Sequence, residues 1–272
     1  MQNAAPTLPQ TTAVPRIGAV NWMGVATLCA KEIQRFFKVG LQTVVAPAIT
    51  TLLFMAIFLV AIGGSGRYAG PVPFAEFLAP GLVMMAIIQN SFANTSSSLL
   101  ISKVQGNIVD VLMPPLSELE LTFAFAVGGV ARGAAVAIAV TVPMFLFVSL
   151  EARHLWAIVY FGLSAALMLS LMGILTGIWA QKFDHNATVT NFLIMPLSFL
   201  SGTFYSIERL PGIWQTLSQF NPFFYMIDGY RYGFTGHADG SLAVGVIVIA
   251  GLNLVLWLAC HALFKSGYNL KA

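Results

Sequence analysis

Charged residues are scarce in this sequence of 272 residues, since 8% are charged and 58% are hydrophobic. Soluble domains carry roughly 25% charged residues, so the composition excludes that class and indicates a membrane protein. The net charge is +3, but the 13 basic residues are scattered along the chain and form no patch. We therefore expect no nucleic-acid partner.

Residues that commonly carry catalysis or bind metals are also few. The two cysteines, Cys29 and Cys260, and the four histidines are isolated, and no predicted span carries paired carboxylates. The patterns H-E-x-x-H, G-x-S-x-G and G-x-x-x-x-G-K-[ST] are absent, so zinc, serine-nucleophile and phosphate-loop chemistry have no visible place. We predict no catalytic residue, no metal site and no cofactor in this chain, and hence no enzyme.

Long hydrophobic runs predict an all-α membrane protein with six transmembrane helices. A helix rising 1.5 Å per residue needs about 20 residues to cross the hydrocarbon core. The predicted spans are 41–62, 74–101, 133–150, 155–180, 187–204 and 242–264. Residues 1–20 and 266–272 flank these runs, and we expect the first stretch to be a disordered tail because it is polar and proline-punctuated.

Residues 21–38 have the spacing of an amphipathic helix. The predicted apolar face holds Trp22, Val25, Cys29, Ile33, Phe36 and Phe37. The predicted polar face holds Thr27, Lys31, Gln34 and Lys38. This pattern predicts an interfacial helix that lies in the membrane surface with its basic side toward the head groups.

The second predicted span carries a polar stripe. Asn90, Asn94, Ser97 and Ile101 recur at i, i+4, i+7 and i+11, which places them on one helix face. Amide groups face lipid only at a high cost in free energy. The stripe is therefore predicted to face protein, a partner subunit or a wet pathway. Small residues in the fourth span, including Gly173 and Gly177, favour close helix packing.

Residues 103–120 form a short polar link between the second and third spans. A helical segment is predicted from Val104 to Leu112, and two consecutive prolines after Met113 must end it. Ser117 and Glu120 have the spacing of a capping box that starts the next helix. A rigid link of this kind suits transmission of force from a soluble partner, and an ordinary tight loop is the alternative.

The apolar run that continues to Leu150 contains the charged residue Arg132. Counting back 18 residues from Leu150 places Arg132 about 27 Å from the far end of the third span, near the boundary of the hydrocarbon core. Snorkelling to that boundary, or pairing with Glu118 or Glu120, would account for the charge.

The segment between the fifth and sixth spans is broken by Pro211 and by Asn221-Pro222. Two short helices are predicted, at 212–220 and 223–234, rich in Trp and Tyr. Aromatic residues of this kind concentrate at the head-group level, so these helices are predicted to be interfacial or re-entrant.

The basic residues also predict the orientation. Nine of the 13 fall on the side of the two termini and four on the other side. The positive-inside rule then places both termini, with their tails, and the 103–120 link in the cytoplasm, and the aromatic segment outside.

Four blocks carry a resemblance to a known family. They are Phe77 to Ser98, Lys103 to Pro115, Phe199 to Trp214 and Phe220 to Phe234. Together with the interfacial helix and the predicted spans, they resemble the permease subunit of type-two ABC exporters of the bacterial inner membrane. The resemblance implies a homodimer, embedded among membrane lipids, that binds two copies of a separate P-loop ATPase. ATP and Mg²⁺ would bind to that partner.

The resemblance also implies roles for particular residues. The segment 104–112 would be the coupling helix that docks on the ATPase, and 21–38 would be the connecting helix beside it. Residues expected to couple to the ATPase are Gln105, Gly106, Asn107, Asp110, Leu112, Lys31 and Arg35. Candidates for the pathway or the dimer interface are Asn90, Asn94, Ser97, Phe204 and Tyr205.

The expected function is ATP-driven export of a lipid-like, glycan or hydrophobic substrate. A pathway with no charge inside the membrane would favour a neutral or amphipathic cargo. The alternatives are an ATP-independent channel or carrier and, behind it, a membrane-embedded enzyme.

Overall fold

The computed structural model describes residues 18–61, 68, 69, 71–207 and 210–270. Most of the tail predicted at 1–20, and the last two residues of the tail predicted at 266–272, lie outside these ranges. The helices are α1 (Trp22–Lys38), α2 (Ala46–Ala61), α3 (Phe74–Val104), α4 (Ile108–Leu112), α5 (Glu118–Met144), α6 (Leu155–Trp179), α7 (Phe183–Val189), α8 (Met195–Phe199), α9 (Gly212–Phe220), α10 (Pro222–Thr235) and α11 (Leu242–Ser266).

Four short elements are also present in the described chain. A π-helical turn, Leu41–Val45, leads into α2, and a second, Thr190–Ile194, joins α7 to α8. Strands β1 (Tyr68–Ala69) and β2 (Val72–Pro73) pair antiparallel, with Tyr68 opposite Pro73. The described part of the chain is thus mostly helical, as the sequence predicts.

Five helices of the described chain are long and apolar enough to cross a membrane: Leu41–Ala61, α3, α5, α6 and α11. The fifth predicted span, 187–204, corresponds to the continuous run from α7 through the second π-helical turn to α8. That run begins at Phe183 and ends at Phe199, because the chain turns between Leu200 and Tyr205. The two helices predicted between the fifth and sixth spans are present as α9 and α10.

The third span differs from the prediction of 133–150. Helix α5 begins at Glu118, because the side chain of Ser117 accepts the N–H of Glu120 and the carboxylate of Glu120 accepts the N–H of Ser117. It ends at Met144, and residues 145–150 are not helical. The capping box therefore starts the membrane helix itself, 15 residues before the predicted start of the span.

Helix α3 is the centre of the bundle and is buried along most of its length. It packs against α2, α5, α6 and α10. Glycines permit the closest approach: a Cβ at Gly173 of α6 would lie 2.5 Å from the carbonyl oxygen of Phe92 in α3. The predicted role of small residues in the fourth span is confirmed at this position.

Candidate functional site

The link between α3 and α5 exposes polar residues on one side and buries apolar residues on the other. Helix α3 continues to Val104, so the link helix α4 begins at Ile108 and not at the predicted Val104. The chain turns at Gly106, whose φ of +75° is in the left-handed region that favours glycine. Ile108 and Val111 are buried, at 2% and 5% exposure.

The predicted coupling residues of the link point away from that anchor. Gln105, Gly106, Asn107 and Asp110 are exposed, and Leu112 is half-buried. The buried residues Ile108 and Val111 pack in one cluster with Leu28 of α1 and Phe264 of α11. The link is therefore a surface feature held firmly on the end of the bundle where α1 and the end of α11 also lie.

Helix α1 is tied to the link at its start. The backbone N–H of Asn21 donates to Oε1 of Glu120 at 2.6 Å, and its side-chain amide donates to the carbonyl of Pro115 at 3.2 Å. The Asn21 side chain also accepts the N–H of Gly24 and so caps α1. Glu120 thus caps α5 and holds the start of α1 at the same time.

The middle of α1 is tied to α3 by a buried carboxylate that the sequence reasoning missed. Glu32 is 1% exposed. Its Oε1 accepts the hydroxyl of Ser98 at 2.8 Å, and its Oε2 lies 3.3 Å from Nε of Arg35. Arg35 in turn donates to the backbone carbonyl and the side-chain oxygen of Asn94, at 2.7 and 3.0 Å.

The predicted faces of α1 therefore need correction. The buried residues are Val25, Leu28, Glu32 and Phe36, whereas Trp22 and Phe37 are 73% and 59% exposed. The helix packs on α5 and is hydrogen-bonded to α3. The one charge in its buried stripe is satisfied by Ser98 and Arg35, so burial of that charge is tolerated. Of the two predicted coupling residues in α1, Lys31 is exposed and Arg35 turns inward to α3.

A groove of about 370 Å³ runs between α1 and the link. Lys31 of α1 and Asp110 of α4 both line it, so the structure brings these two predicted coupling residues to one surface. Of the other predicted coupling residues of the link, Gln105, Gly106 and Asn107 lie at the turn that precedes α4, and Leu112 ends α4.

The polar stripe of α3 faces protein within this chain. Asn90 and Asn94 are buried and Ser97 is half-buried. Asn90 accepts Nη2 of Arg132 at 2.9 Å and donates to the carbonyl of Ala86 at 3.0 Å. The predicted pairing of Arg132 with Glu118 or Glu120 is wrong, since 14 residues, about 21 Å of helix, separate Glu118 from Arg132.

Two buried charges on α10 were not anticipated. Arg231, 3% exposed, donates from Nε to the carbonyl of Phe77 at 3.1 Å and from Nη2 to that of Gly202 at 2.7 Å. Its guanidinium carbon lies 3.6 Å from the ring centroid of Phe77. The sequence signal was the i, i+3 spacing of Asp228 and Arg231, which places both on one face of α10.

Asp228 holds the turn between α10 and α11. Its carboxylate accepts the backbone N–H groups of Asp239 and Gly240, at 2.8 and 2.9 Å. Burial raises the pKa of Asp228 to about 6, and the two N–H donors and Arg231 oppose that rise. These groups secure the segment from α10 to α11, and nothing in their arrangement suggests proton transfer.

Phe204 and Tyr205 are half-buried in the turns after α8. The Phe204 ring stacks on Phe58 of α2, with 4.7 Å between centroids, and on Phe199 of α8, at 5.6 Å. These contacts hold the end of α8 against α2. Among the described residues, no group of His, Cys, Asp and Glu side chains is placed to hold a metal ion.

Comparison with known proteins gives a consistent result. The family model described as "ABC-2 type transporter" matches residues 23–235. The inner membrane transport permease YadH of Escherichia coli (strain K12) is 38% identical over 252 residues, which cover 92% of this chain and 98% of that protein. The protein of the same name from Shigella flexneri matches to the same extent.

Proposed function

Because the chain belongs to the ABC-2 type transporter family, a family of transport permeases, we propose that it is the membrane subunit of an ATP-driven exporter. Permeases of this family generally work with a separate ATPase subunit, and the chain is itself a non-enzymatic transporter subunit. It is an inner-membrane, multi-pass protein by its similarity to YadH and by its apolar helices. The exporter direction, the assembly and the cargo are the proposed parts.

The observation that carries the proposal is the double attachment of α1. Its start is bonded to Glu120 and Pro115 beside the link, and its middle is bonded to Ser98 and Asn94 within α3. A push on the exposed link therefore reaches the buried centre of the bundle through hydrogen bonds and packed helices. Such a connection lets one event in a soluble partner bias a two-state membrane assembly.

In this proposal, a P-loop ATPase binds the surface formed by Gln105, Gly106, Asn107 and Asp110, with Lys31 beside them. Two permeases form a homodimer and each binds one ATPase, which holds ATP and Mg²⁺. Trp22 and Phe37, exposed on α1, contact membrane lipids. The cargo leaves the cytoplasm or the inner leaflet, and it is a lipid-like, glycan or hydrophobic molecule.

We also propose six crossings with both termini in the cytoplasm. Support comes from parity: α1 and the end of α11 pack in one cluster, so an even number of crossings must separate them. The five long helices supply five, and the run from Phe183 to Phe199 supplies the sixth. At 17 residues, about 26 Å, that run is slightly short for a typical hydrocarbon core.

The test is purification of the tagged chain in mild detergent, with mass spectrometry of bound proteins and assay of ATP hydrolysis. We expect a P-loop ATPase in equal copy number. Asp110→Lys should abolish its binding, because the reversed charge lies on the docking surface. Glu151→Lys, a matched reversal in the exposed turn between α5 and α6, should leave binding intact. If the chain purifies without an ATPase, whichever ATPase is co-expressed, the proposal is overturned.

A further inference from the structure

Lys103 joins the last turn of α3 to the end of α6. The last carbonyl groups of a helix have no partner within that helix, and at the end of α6 three carbonyls accept from one ammonium group. Nζ of Lys103 donates to the carbonyls of Ile178 and Ala180 at 2.6 and 2.7 Å, and to that of Gly177 at 3.4 Å. A cation is also favourable at this negative end of the helix dipole. Lys103 therefore holds the end of α6 by both charge and hydrogen bonds.

The backbone of Lys103 also belongs to the turn that begins the link. The N–H of Gly106 donates to the carbonyl of Lys103 at 3.1 Å, and the chain turns at Gly106 with its φ of +75°. Gln105 and Asn107, on either side of Gly106, are exposed on the surface that the ATPase is proposed to contact. One residue therefore holds the start of the docking surface through its backbone and the end of α6 through its side chain.

Helix α6 is fastened at its other end as well. It has 25 residues, about 38 Å of helix, and it packs against α3, α5, α10 and α11. Just before its start, the N–H of His154 donates to the carbonyl of Gly233 in α10 at 2.9 Å, and the His154 ring stacks on that of Tyr232 with 4.5 Å between centroids. A helix held in this way at both ends moves as one body, so a displacement at Lys103 acts on the whole of α6.

Asn269 closes the same end of α6 from a different segment. It follows α11, and its Nδ2 donates to the carbonyls of Ile178 and Trp179 at 2.9 and 3.0 Å. Its Oδ1 lies 3.4 Å from Nε2 of Gln181, and within the described chain its hydrogen bonds do not reach the link. Lys103 and Asn269 thus share the carbonyl of Ile178, but only Lys103 is continuous with the docking surface.

We infer that Lys103 is a positioning residue that transmits displacement of the link to α6. This inference deepens the proposed function and rests on it, because it names a path from the ATPase-docking surface into the bundle. The bonds of α1 reach α3, and Lys103 adds a separate path into α6. The ammonium group suits this role because it has three donors and engages three carbonyls of one helix end.

The test is a double-mutant cycle read by hydrogen exchange and mass spectrometry on the purified chain, without an ATPase. Gly106→Ala disturbs the link, because alanine is strained at a φ of +75° although its Cβ meets nothing within 4 Å. We expect the peptide that covers 176–183 to exchange about threefold faster in Gly106→Ala and about tenfold faster in Lys103→Met. In the double variant, Gly106→Ala should add nothing to Lys103→Met, because the connection is already lost.

Asn269→Ala is the matched control for a cap that has no attachment to the link. It removes two hydrogen bonds at the same helix end, so the 176–183 peptide should again exchange faster, but Gly106→Ala should still add its effect. Lys182→Met, at an exposed lysine just after α6, should leave the response to Gly106→Ala as it is in wild type. Lys103→Arg should retain that response, because a guanidinium also donates to carbonyl groups.

The peptide that covers 104–112 reports whether the link is disturbed. If Gly106→Ala leaves its exchange unchanged, Gly106→Val replaces it, since a β-branched residue is strained further at positive φ. If Lys103→Met cannot be purified, Lys103→Gln, with a shorter neutral side chain, completes the same cycle.

Additive effects of Gly106→Ala and Lys103→Met would overturn the inference, because Lys103 would then be a helix cap of the same kind as Asn269. So would an unchanged 176–183 peptide in a variant whose 104–112 peptide exchanges faster. The two proposals fail separately, since no ATPase takes part in this experiment. A chain that binds no ATPase contradicts the proposed function, whereas an additive cycle contradicts only the role of Lys103.

Discussion

Asn21 and Glu120 are joined by a hydrogen bond of 2.6 Å although 99 positions separate them in the chain. The donor is the backbone N–H that precedes α1, and the acceptor is the same carboxylate that caps α5. One side chain therefore fixes the position of α1 relative to the end of the link.

Glu120→Ala should loosen the start of α1. Without its acceptor, the N–H of Asn21 should exchange with solvent about tenfold faster, because opening of that turn becomes easier. Hydrogen exchange read by mass spectrometry on the peptide that contains Asn21 measures this. Glu118→Ala is the control, since the Glu118 carboxylate makes no hydrogen bond within the described chain. Equal exchange in the two variants would show that the bond does not hold α1.

Glu32→Gln should destabilise the protein by about 2 kcal/mol, because Arg35 then loses the carboxylate that faces it in a largely buried setting. A lower melting temperature in detergent reports the loss. The matched control is Glu151→Gln, which breaks an exposed pair with Arg153 and should cost less than about 1 kcal/mol. If both variants have the same melting temperature as the wild type, the buried pair contributes nothing to stability.

Gly173→Ala should separate α6 from α3. The added methyl would meet the carbonyl of Phe92 at 2.5 Å, and backbone must shift to relieve the contact, at about 1–3 kcal/mol. Gly251→Ala in α11, where a Cβ meets nothing within 4 Å, should be neutral or slightly stabilising. Melting temperatures of the two variants test this, and a Gly173→Ala protein as stable as wild type would contradict the packing.

Asp228 should make the stability of the protein depend on pH. Its pKa is raised from 3.8 to about 6, so the folded protein holds this proton more tightly than the unfolded chain. The resulting stabilisation is present at about pH 4 and is lost as the pH rises through about 6. The melting temperature of wild type should therefore fall across this window relative to Asp228→Asn, which cannot titrate there. A difference between the two proteins that stays constant with pH would contradict the raised pKa.

The sequence predicted the helices better than it predicted the burial and pairing of charged side chains. Local signals were sufficient for the capping box at Ser117 and Glu120, for α9 and α10 after their prolines, and for the polar stripe of α3. Each of these depends on residues within one or two turns of helix.

Burial of Glu32 could not be predicted in this way, because its partner Ser98 lies 66 positions away and helix periodicity treats any carboxylate as solvent-facing. The ends of the third helix could not be predicted for a related reason: the apolar run continues to Leu150, whereas the capping box and the turn after Met144 set the bounds of α5. The periodicity of the sequence carries no information on long-range contacts or on the exact ends of helices.

The burial of α3 has a consequence for how the protein is made. Asn90, Asn94 and the serines that follow are satisfied or covered by α1, α5 and α6, so α3 alone in lipid would expose unsatisfied polar groups. Yet α6 ends 75 residues after α3 does, and the ribosome completes it later. We therefore expect the new α3 to stay shielded by the insertion machinery until its covering helices emerge.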